Sequence, residues 1–531
     1  MTEPEVRALT ITVRNPADQR GVGEVRNERP EAIAVTAGEL RLFQPEWQAV
    51  GAQGRKAWLL KFQDWVLDNA EHIADVVQSE SGKTRAEALT EPTAVADFLN
   101  YWAGNAQRFL ADTHPVQRGL MALTKKLTTA YRPYSLVGVI TPRNFPFAMP
   151  GVDVVPALAA GAAVLLKPSE VTPLSAVEFV HGWTEIDAPP VLALATGCAE
   201  TGAAVIDVVD YVQFTGSTAT GRKVAVRCAQ RLIPYSLELG GKDPAIVLAD
   251  ADLERAANGI ACGGLTNSGR LCVSVERVYV EEPVYDEFVA KLTSKVAALR
   301  QGKDAYGCKH DVGGLATPAQ RDIVQRHVDD AVAAGAAVVT GGKSTGTGTF
   351  FQPTVLVGVK HSMTCMTEET FGPTLPVMKV VDEAEAIRLA NDSAYGLSAT
   401  VWTADKERGE RVARQLEVGA VNINDVLANA YAYAIPMGGW TQSGFGARAG
   451  GADGVRKYCR AQAITSPRIP TASKDLPWYP SSSRSVKVAL AVMRAGAAHG
   501  LRRFGVSPRG ALGELPWRRW KLWPRRTTTR T

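Results

Sequence analysis

Leu136-Val-Gly-Val-Ile-Thr-Pro-Arg-Asn-Phe-Pro146 and Pro156-Ala-Leu-Ala-Ala-Gly-Ala-Ala-Val-Leu-Leu-Lys-Pro-Ser-Glu170 decide the fold class. Inside them, Leu136–Ile140 and Ala163–Leu166 are unbroken apolar runs, the pattern of strands buried on both faces of a parallel sheet. Val191–Ala195 and Tyr211–Phe214 repeat the signal, and each run is followed by a turn and a helical pattern, as repeated βαβ units require. Toward the C-terminus a second βα series follows Leu239-Gly-Gly241: Pro244–Leu248, Arg277–Val280, Ala337–Thr340, Thr354–Val357, Leu375–Val380, Ser398–Trp402 and Ala420–Ile423. Toward the N-terminus, Trp47–Leu67 and Glu71–Ser79 carry apolar residues at three- and four-residue spacing, so 47–113 reads as helices. The expectation is two α/β domains joined near residue 240.

The chain has 531 residues, 46% of them apolar and 21% charged, which excludes disorder as its general state. Its longest apolar stretches, Val152–Leu166 and Val488–Ala498, are interrupted by Asp153 and Arg494 and fall short of the roughly 20 residues that cross a bilayer. The first residues, Met1-Thr-Glu-Pro-Glu-Val6, have neither a basic nor an apolar segment, so no secretory signal is expected. Seven cysteines without paired spacing suit free thiols in a reducing cytoplasm. The seven histidines form no metal spacing, and no metal is predicted. The net charge of +5 is uneven: residues 471–531 carry 13 Lys/Arg against Asp475 and Glu514, a net +11, which leaves −6 for the first 470. A mildly acidic body gives no reason to expect nucleic acid as the ligand.

Four segments carry candidate chemistry, and each taken alone has a plain alternative. Phe214-Thr-Gly-Ser-Thr-Ala-Thr-Gly221 follows a strand and opens a helix; Gly216 lets a ligand approach, and free N–H groups near Ser217 can face a pyrophosphate. An ordinary glycine-bearing turn reads the same way. Lys167-Pro-Ser-Glu170 sets a cation and a carboxylate at the sheet's carboxyl edge, as a nucleotide site or as a solvated pair. Asn267-Ser-Gly-Arg-Leu-Cys272 puts a thiol in a polar loop, although most cysteines in a chain this size are inert. Glu238, inside Leu237-Glu-Leu-Gly-Gly241, is either a proton-transfer group made weaker as an acid by burial or a structural carboxylate.

Taken together and in order, these segments resemble the aldehyde dehydrogenase superfamily over residues 10–465. Thr141-Pro-Arg-Asn-Phe-Pro146, Pro156–Gly161, Lys167–Glu170, Phe214–Ser217, Leu237-Glu-Leu-Gly-Gly-Lys242, Asn267–Cys272, Glu368-Glu-Thr-Phe-Gly-Pro373, and Pro436–Gly439 with Ser443–Gly446 carry the likeness. Leu271-Cys-Val-Ser-Val-Glu-Arg277 and the C-terminal extension are most similar to the bacterial branch usually labelled succinate-semialdehyde dehydrogenase. The resemblance implies Cys272 as nucleophile, Asn144 as the oxyanion-holding amide and Glu238 as general base. It implies a cofactor held by Thr141, Pro142, Lys167, Ser169, Glu170, Gly216, Ser217, Leu239, Glu369 and Phe371. Glu170 can accept from both ribose hydroxyls and repel a 2′-phosphate, so NAD is expected, with NADP as the second choice. The implied architecture is a Rossmann-like cofactor domain (1–118 and 134–239), an α/β catalytic domain (240–444), an oligomerisation β-flap (119–133 and 445–470) and a basic tail (471–531), assembled as a homodimer or homotetramer.

Arg143 and Arg270 stand where the family usually has Trp and Gln. They either lower the Cys272 pKa and attract an anionic aldehyde, or point into the body and pair there. Val152 and Thr266 occupy positions where well-known succinate-semialdehyde enzymes carry arginines, and Phe145, Val152, Leu427, Tyr431 and Tyr433 imply an apolar channel for a medium aliphatic or aromatic aldehyde. Ser274 removes the option of a second active-site cysteine. Arg484–Phe504 mixes basic and apolar residues at near-helical spacing, and Trp517, Trp520 and Trp523 recur among Arg518, Arg519, Lys521, Arg525 and Arg526. That tail reads as a membrane-surface segment of an otherwise cytoplasmic enzyme, or as a strap on a neighbouring subunit or a solvated end. Two other functions compete: a CoA-acylating dehydrogenase, against which Glu238 argues, and a silent structural relative, against which Cys272, Asn144 and Glu238 together argue.

Overall fold

Strands covered on both faces cannot alternate polar with apolar residues, and the first sheet is built from such strands. The computed structural model describes residues 9–116, 124–345, 348–468, 473 and 478–497. Its six-stranded sheet runs Gly444–Phe445, Tyr235–Glu238, Tyr211–Thr215, Leu136–Ile140, Ala163–Lys167, Leu192–Leu194. All neighbours are parallel except Gly444–Phe445, which closes the edge antiparallel to Tyr235–Glu238. The seven-stranded sheet runs Ala337–Thr340, Thr354–Val357, Thr374–Val380, Val275–Glu281, Asp243–Val247, Ser398–Trp402, Ala420–Ile423. Here Ala337–Thr340 departs from the βα reading: it pairs antiparallel at the edge, where its exposed residues meet water on one side.

The helical reading of 47–113 resolves into Pro30–Ala49, Gly51–Asp68, Ala70–Ser81 and Arg85–Leu110. The first begins well before Trp47. Its buried residues Ile33, Ala37, Leu40, Gln44 and Trp47 keep helical spacing, but exposed Val35, Leu42 and Phe43 blur the stripe. An N-terminal hairpin, Thr10–Arg14 with Gly21–Arg26, has no counterpart in the sequence reading, because only Val13 and Val25 of its residues are buried. Between the helices and the six-stranded sheet, Phe62 meets Phe179 and Trp183 edge-on, at 5.1 and 5.6 Å between ring centroids. The indole N–H groups of Trp47 and Trp183 donate to the carbonyls of Leu158 and Pro189, so these large rings are buried without an unpaired donor.

The chain falls into two compact units, one from Met1–Ala111 and Tyr131–Arg460, the other from Asp112–Ala130 and Ala461–Thr531. Both sheets belong to the first. Most of a two-stranded ribbon, Lys125–Pro133 with Cys459–Pro467, and the helix Ser483–Ala497 belong to the second. No helix among the described residues is long and apolar enough to cross a membrane. The tryptophans at 517, 520 and 523 lie outside the described residues.

Candidate active site

Strand register brings carboxyl ends level: Ile140 pairs with Lys167 and with Phe214, and Thr215 pairs with Glu238. The chain leaving these strands lines a cleft of about 990 Å³, a size that suits a dinucleotide. All ten cofactor candidates (Thr141, Pro142, Lys167, Ser169, Glu170, Gly216, Ser217, Leu239, Glu369 and Phe371) line it, together with Asn144 and Cys272. Glu238 does not reach the wall; it is fully buried in the strand before Leu239.

The cleft's own residues fit a dinucleotide. A Cβ at position 216 would stand 2.6 Å from the Phe214 ring, so glycine keeps the backbone open there. Ser217 caps the helix Thr218–Arg231 by accepting from the Thr220 N–H at 3.3 Å, which leaves other first-turn N–H groups for an anion. Thr141 and Thr215 each bury a hydroxyl with no hydrogen-bond partner among the described residues. Lys167 Nζ stands 3.5 Å from Glu170 Oε2, a polar pair of the kind that meets ribose hydroxyls. At the other end, Glu276 accepts from the backbone N–H groups of Thr370 and Phe371, both at 2.8 Å, and from Lys242 Nζ at 2.7 Å. This clamp holds Phe371 in a left-handed conformation (φ 51°) and fixes Glu369, whose Oε1 accepts from the Gly241 N–H. Burial first, then the Glu276 charge, lifts the Glu369 carboxyl to about 7. Neither Glu276 nor Lys242 was among the expected site residues, although a charge in the fully buried strand Val275–Glu281 marks such a clamp.

The thiol loop is wound against its own preference. Asn267, Ser268 and Gly269 have φ of 52°, 58° and 72°, and the two non-glycine residues store about 1–3 kcal/mol each. Hydrogen bonds hold the winding: the Asn267 amide donates to the carbonyls of Asn144 at 2.9 Å and Arg270 at 3.2 Å, and Ser268 donates to the Gly313 carbonyl. Arg270 is buried in the body. Its guanidinium donates to Asn267 Oδ1 at 2.6 Å and to the backbone carbonyls of Asn267 and Ser81, so the body-facing alternative holds for it. One N–H of the Asn144 amide donates to the Arg270 carbonyl at 3.1 Å; the amide has a second. Ser274 donates to the Gly263 and Gly264 carbonyls.

Behind the thiol lies a buried charge cluster that the sequence does not signal. Arg448 Nη1 is 3.7 Å from Glu238 Oε1, and Arg448 Nε is 3.9 Å from Asp153 Oδ1, all three groups being buried. Burial raises the Glu238 carboxyl to about 7, Arg448 opposes the rise and Asp153 adds to it. The Cys272 thiol is pushed up to about 12 by burial and then by the Glu238 charge, with Arg448 opposing. Lys457 donates to Gln213 Oε1 at 2.7 Å, and burial pulls its ammonium down to about 7 against the attraction of Asp153. The cation bearing on the thiol is therefore Arg448, not Arg143 or Arg270. Replacing it, Arg448→Met, leaves Glu238 and Asp153 with Lys457 as their remaining buried cation, one that burial already weakens; a stability loss of about 3–5 kcal/mol is expected, read as an earlier urea midpoint at unchanged slope.

Arg143 does line the cleft, but it donates to Gln320 Oε1 at 3.1 Å and is drawn toward Glu170 and Glu369. The five expected channel residues have different immediate neighbours. Val152 and Tyr433 pack with Phe98, whose ring lies 4.3 Å from that of Tyr433; Leu427 packs with Cys272, Val273 and Met437; Phe145 lies under Lys83; Tyr431 is exposed.

A dinucleotide-sized cleft at the carboxyl edge of a parallel sheet, with a free thiol on the same wall, defines a nucleotide-dependent oxidoreductase. The chain belongs to the aldehyde dehydrogenase family, whose model ("Aldehyde dehydrogenase family") matches residues 4–464. It is 40% identical over 445 residues to a Mycolicibacterium smegmatis protein whose name marks it as a provisional succinate-semialdehyde dehydrogenase using NADP(+); the match covers 83% of this chain and 85% of that one. It is 40% identical over 483 residues to the 4,4'-diapolycopene aldehyde oxidase of a Methylomonas species, covering 89% of each. Among solved structures it is similar to succinate-semialdehyde dehydrogenase from Burkholderia pseudomallei, at 34% identity and a TM-score of 0.83, over 86% of this chain and 94% of that one. The protein is accordingly an NAD(P)-dependent oxidoreductase of the aldehyde dehydrogenase class.

Proposed function

We propose that the protein oxidises an uncharged, apolar aldehyde to its carboxylic acid through a thiohemiacetal and then a thioester on Cys272. The observation that carries this reading is the Cys272 thiol on the wall of the dinucleotide cleft, with Asn144 on the same wall and the buried Glu238 carboxylate acting on the thiol electrostatically. A thiol near 12 is almost wholly protonated at neutral pH, and Arg448 is the cation that eases its ionisation. The thiol gives its proton to water, the thiolate sulfur adds to the aldehyde carbon, and the second N–H of the Asn144 amide with the Cys272 backbone N–H holds the resulting oxyanion, at about 3 kcal/mol per donor. When bound, NAD(P) supplies the hydride acceptor that leaves a thioester on Cys272. Glu238 then takes a proton from water, the water oxygen adds to the thioester carbon, and the carbon–sulfur bond breaks to release the acid and the thiolate.

Electrostatics support the substrate class. Arg270 is spent inside the body, Arg143 is held by Gln320 at the dinucleotide cleft, and Arg448 already faces two carboxylates. Arg270 and Arg448 are not free to pair with a substrate carboxylate, Arg143 is drawn toward the Glu170 and Glu369 carboxylates of the cleft, and Val152 and Thr266 carry no charge. Although relatives are named for succinate semialdehyde, benzaldehyde and hexanal are expected to exceed it in kcat/KM by about 100-fold, the cost of desolvating an unpaired carboxylate. Steady-state assays of the reduced nicotinamide check this, and parity or a preference for the anion would refute it. With the same aldehyde, NAD is expected to outperform NADP by about tenfold, since the Glu170 carboxylate on the cleft wall would accept from ribose hydroxyls and repel a 2′-phosphate. The division into a cofactor domain (1–118 and 134–239), a catalytic domain (240–444) and a flap (119–133 and 445–470) is part of the same reading. The ribbon Lys125–Pro133 with Cys459–Pro467, too small to be stable alone, would add strands from a second copy in a dimer or tetramer.

A further inference from the structure

The proposed reaction makes no use of residues 471–531, where the structure describes a helix, Ser483–Ala497. Val486, Leu490 and Met493 follow one another at four- and three-residue spacing on one side of it, and Val488 and Val492 widen that side. Arg484, Lys487 and Arg494 fall together on the opposite side. A helix of a soluble body buries its apolar side, but here Val486, Val488, Leu490 and Met493 are 42–49% exposed. At 15 residues, such a helix is marginal in water unless that side is covered.

We propose that this helix lies on the surface of an anionic lipid bilayer, with its valine, leucine and methionine side chains at the acyl boundary and its basic side chains among the phosphates. Charge selects this occupant. From Leu476 to Gly513 the chain has six Lys/Arg and no Asp or Glu, and residues 471–531 carry +11. A second copy packed on the apolar side would leave both basic sides facing away, their charge unmatched, whereas an anionic surface covers the apolar side and matches the charge at once. Aromatic residues of the interfacial kind flank the helix: Trp478 and Tyr479 are 55% and 89% exposed, and the sequence beyond interleaves Trp517, Trp520 and Trp523 with basic residues. The inference deepens the proposed function, because it places the enzyme where apolar aldehydes dissolve. It rests on that reading for its meaning, not for its test.

The test is co-sedimentation of the full chain with phosphatidylcholine vesicles, with and without phosphatidylglycerol. Each basic side chain near an anionic surface multiplies partitioning about fivefold, so the triple variant Arg484→Gln, Lys487→Gln, Arg494→Gln is expected to lose about 100-fold on the anionic vesicles. Val486→Ser, Leu490→Ser, Met493→Ser, which keeps every charge, is expected to lose about as much. Turnover of a soluble aldehyde should be unchanged in both variants, so failure of this inference is distinguishable from failure of the catalytic reading. Absence of pelleting, equal pelleting with and without phosphatidylglycerol, or equal pelleting of the serine variant overturns it. A drop in oligomer size caused by the serine variant, with no vesicle binding by the parent, overturns it in favour of a second copy.

Discussion

Cys272→Ala is expected to lower kcat by at least about 10,000-fold while leaving the fold and dinucleotide binding intact, because it removes the only atom proposed to bond to substrate. The thiol contributes little to the architecture around it. The loop before it is held by the Asn267 amide, the Ser268 hydroxyl and the Arg270 guanidinium, none of which bonds to the sulfur. Steady-state rates, an unfolding curve and a dinucleotide-binding titration on the same preparation check the three parts together. Turnover within tenfold of the parent would remove the thiol from the mechanism; lost activity with lost dinucleotide binding would mean that Cys272 supports the cleft instead.

Glu238→Gln is expected to cost about 100- to 10,000-fold in kcat and to change the time course, not only its slope. If the carboxylate activates water, the amide leaves the thioester uncleaved, and rapid mixing should show one equivalent of reduced nicotinamide per active site followed by near arrest. The pH profile gives the second readout. With the carboxyl lifted to about 7, the parent's kcat should fall below that pH as the base gains its proton, whereas the glutamine variant should show no such limb. Neighbouring charges predict opposite displacements: Arg448→Met removes a stabilising cation and moves the limb to higher pH, and Asp153→Asn removes a repelling carboxylate and moves it lower. A limb that stays in place in both variants would mean that another group titrates.

The strands were legible because a strand buried on both faces has no polar partner positions. Leu136–Ile140, Thr354–Val357 and Ser398–Trp402 have the bounds their apolar runs imply, and other buried runs differ by a residue or two at the ends. Half-exposed elements were harder to see: the hairpin Thr10–Arg14 with Gly21–Arg26 and the helix starting at Pro30 mix exposed apolar residues with few buried ones. The cleft residues were visible because Gly216, Ser217, Lys167 and Glu170 follow strand ends, and strand ends in a parallel sheet meet along one edge. The role of Glu276 is not legible in the sequence because its partners, Lys242 and the backbone at Thr370 and Phe371, come from other parts of the chain.

Local order in the chain was enough to determine the two mainly parallel sheets, the glycine turn at Gly216 and the loop bearing Cys272, since each depends on residues within a few positions of one another. Which charges act on that thiol was decided only in three dimensions. Arg270, two residues from Cys272, turns into the body and satisfies backbone carbonyls, whereas Arg448 reaches Glu238 and Asp153 from a distant segment. Coulomb interactions depend on separation in space and on burial, and neither quantity can be read from separation along the chain.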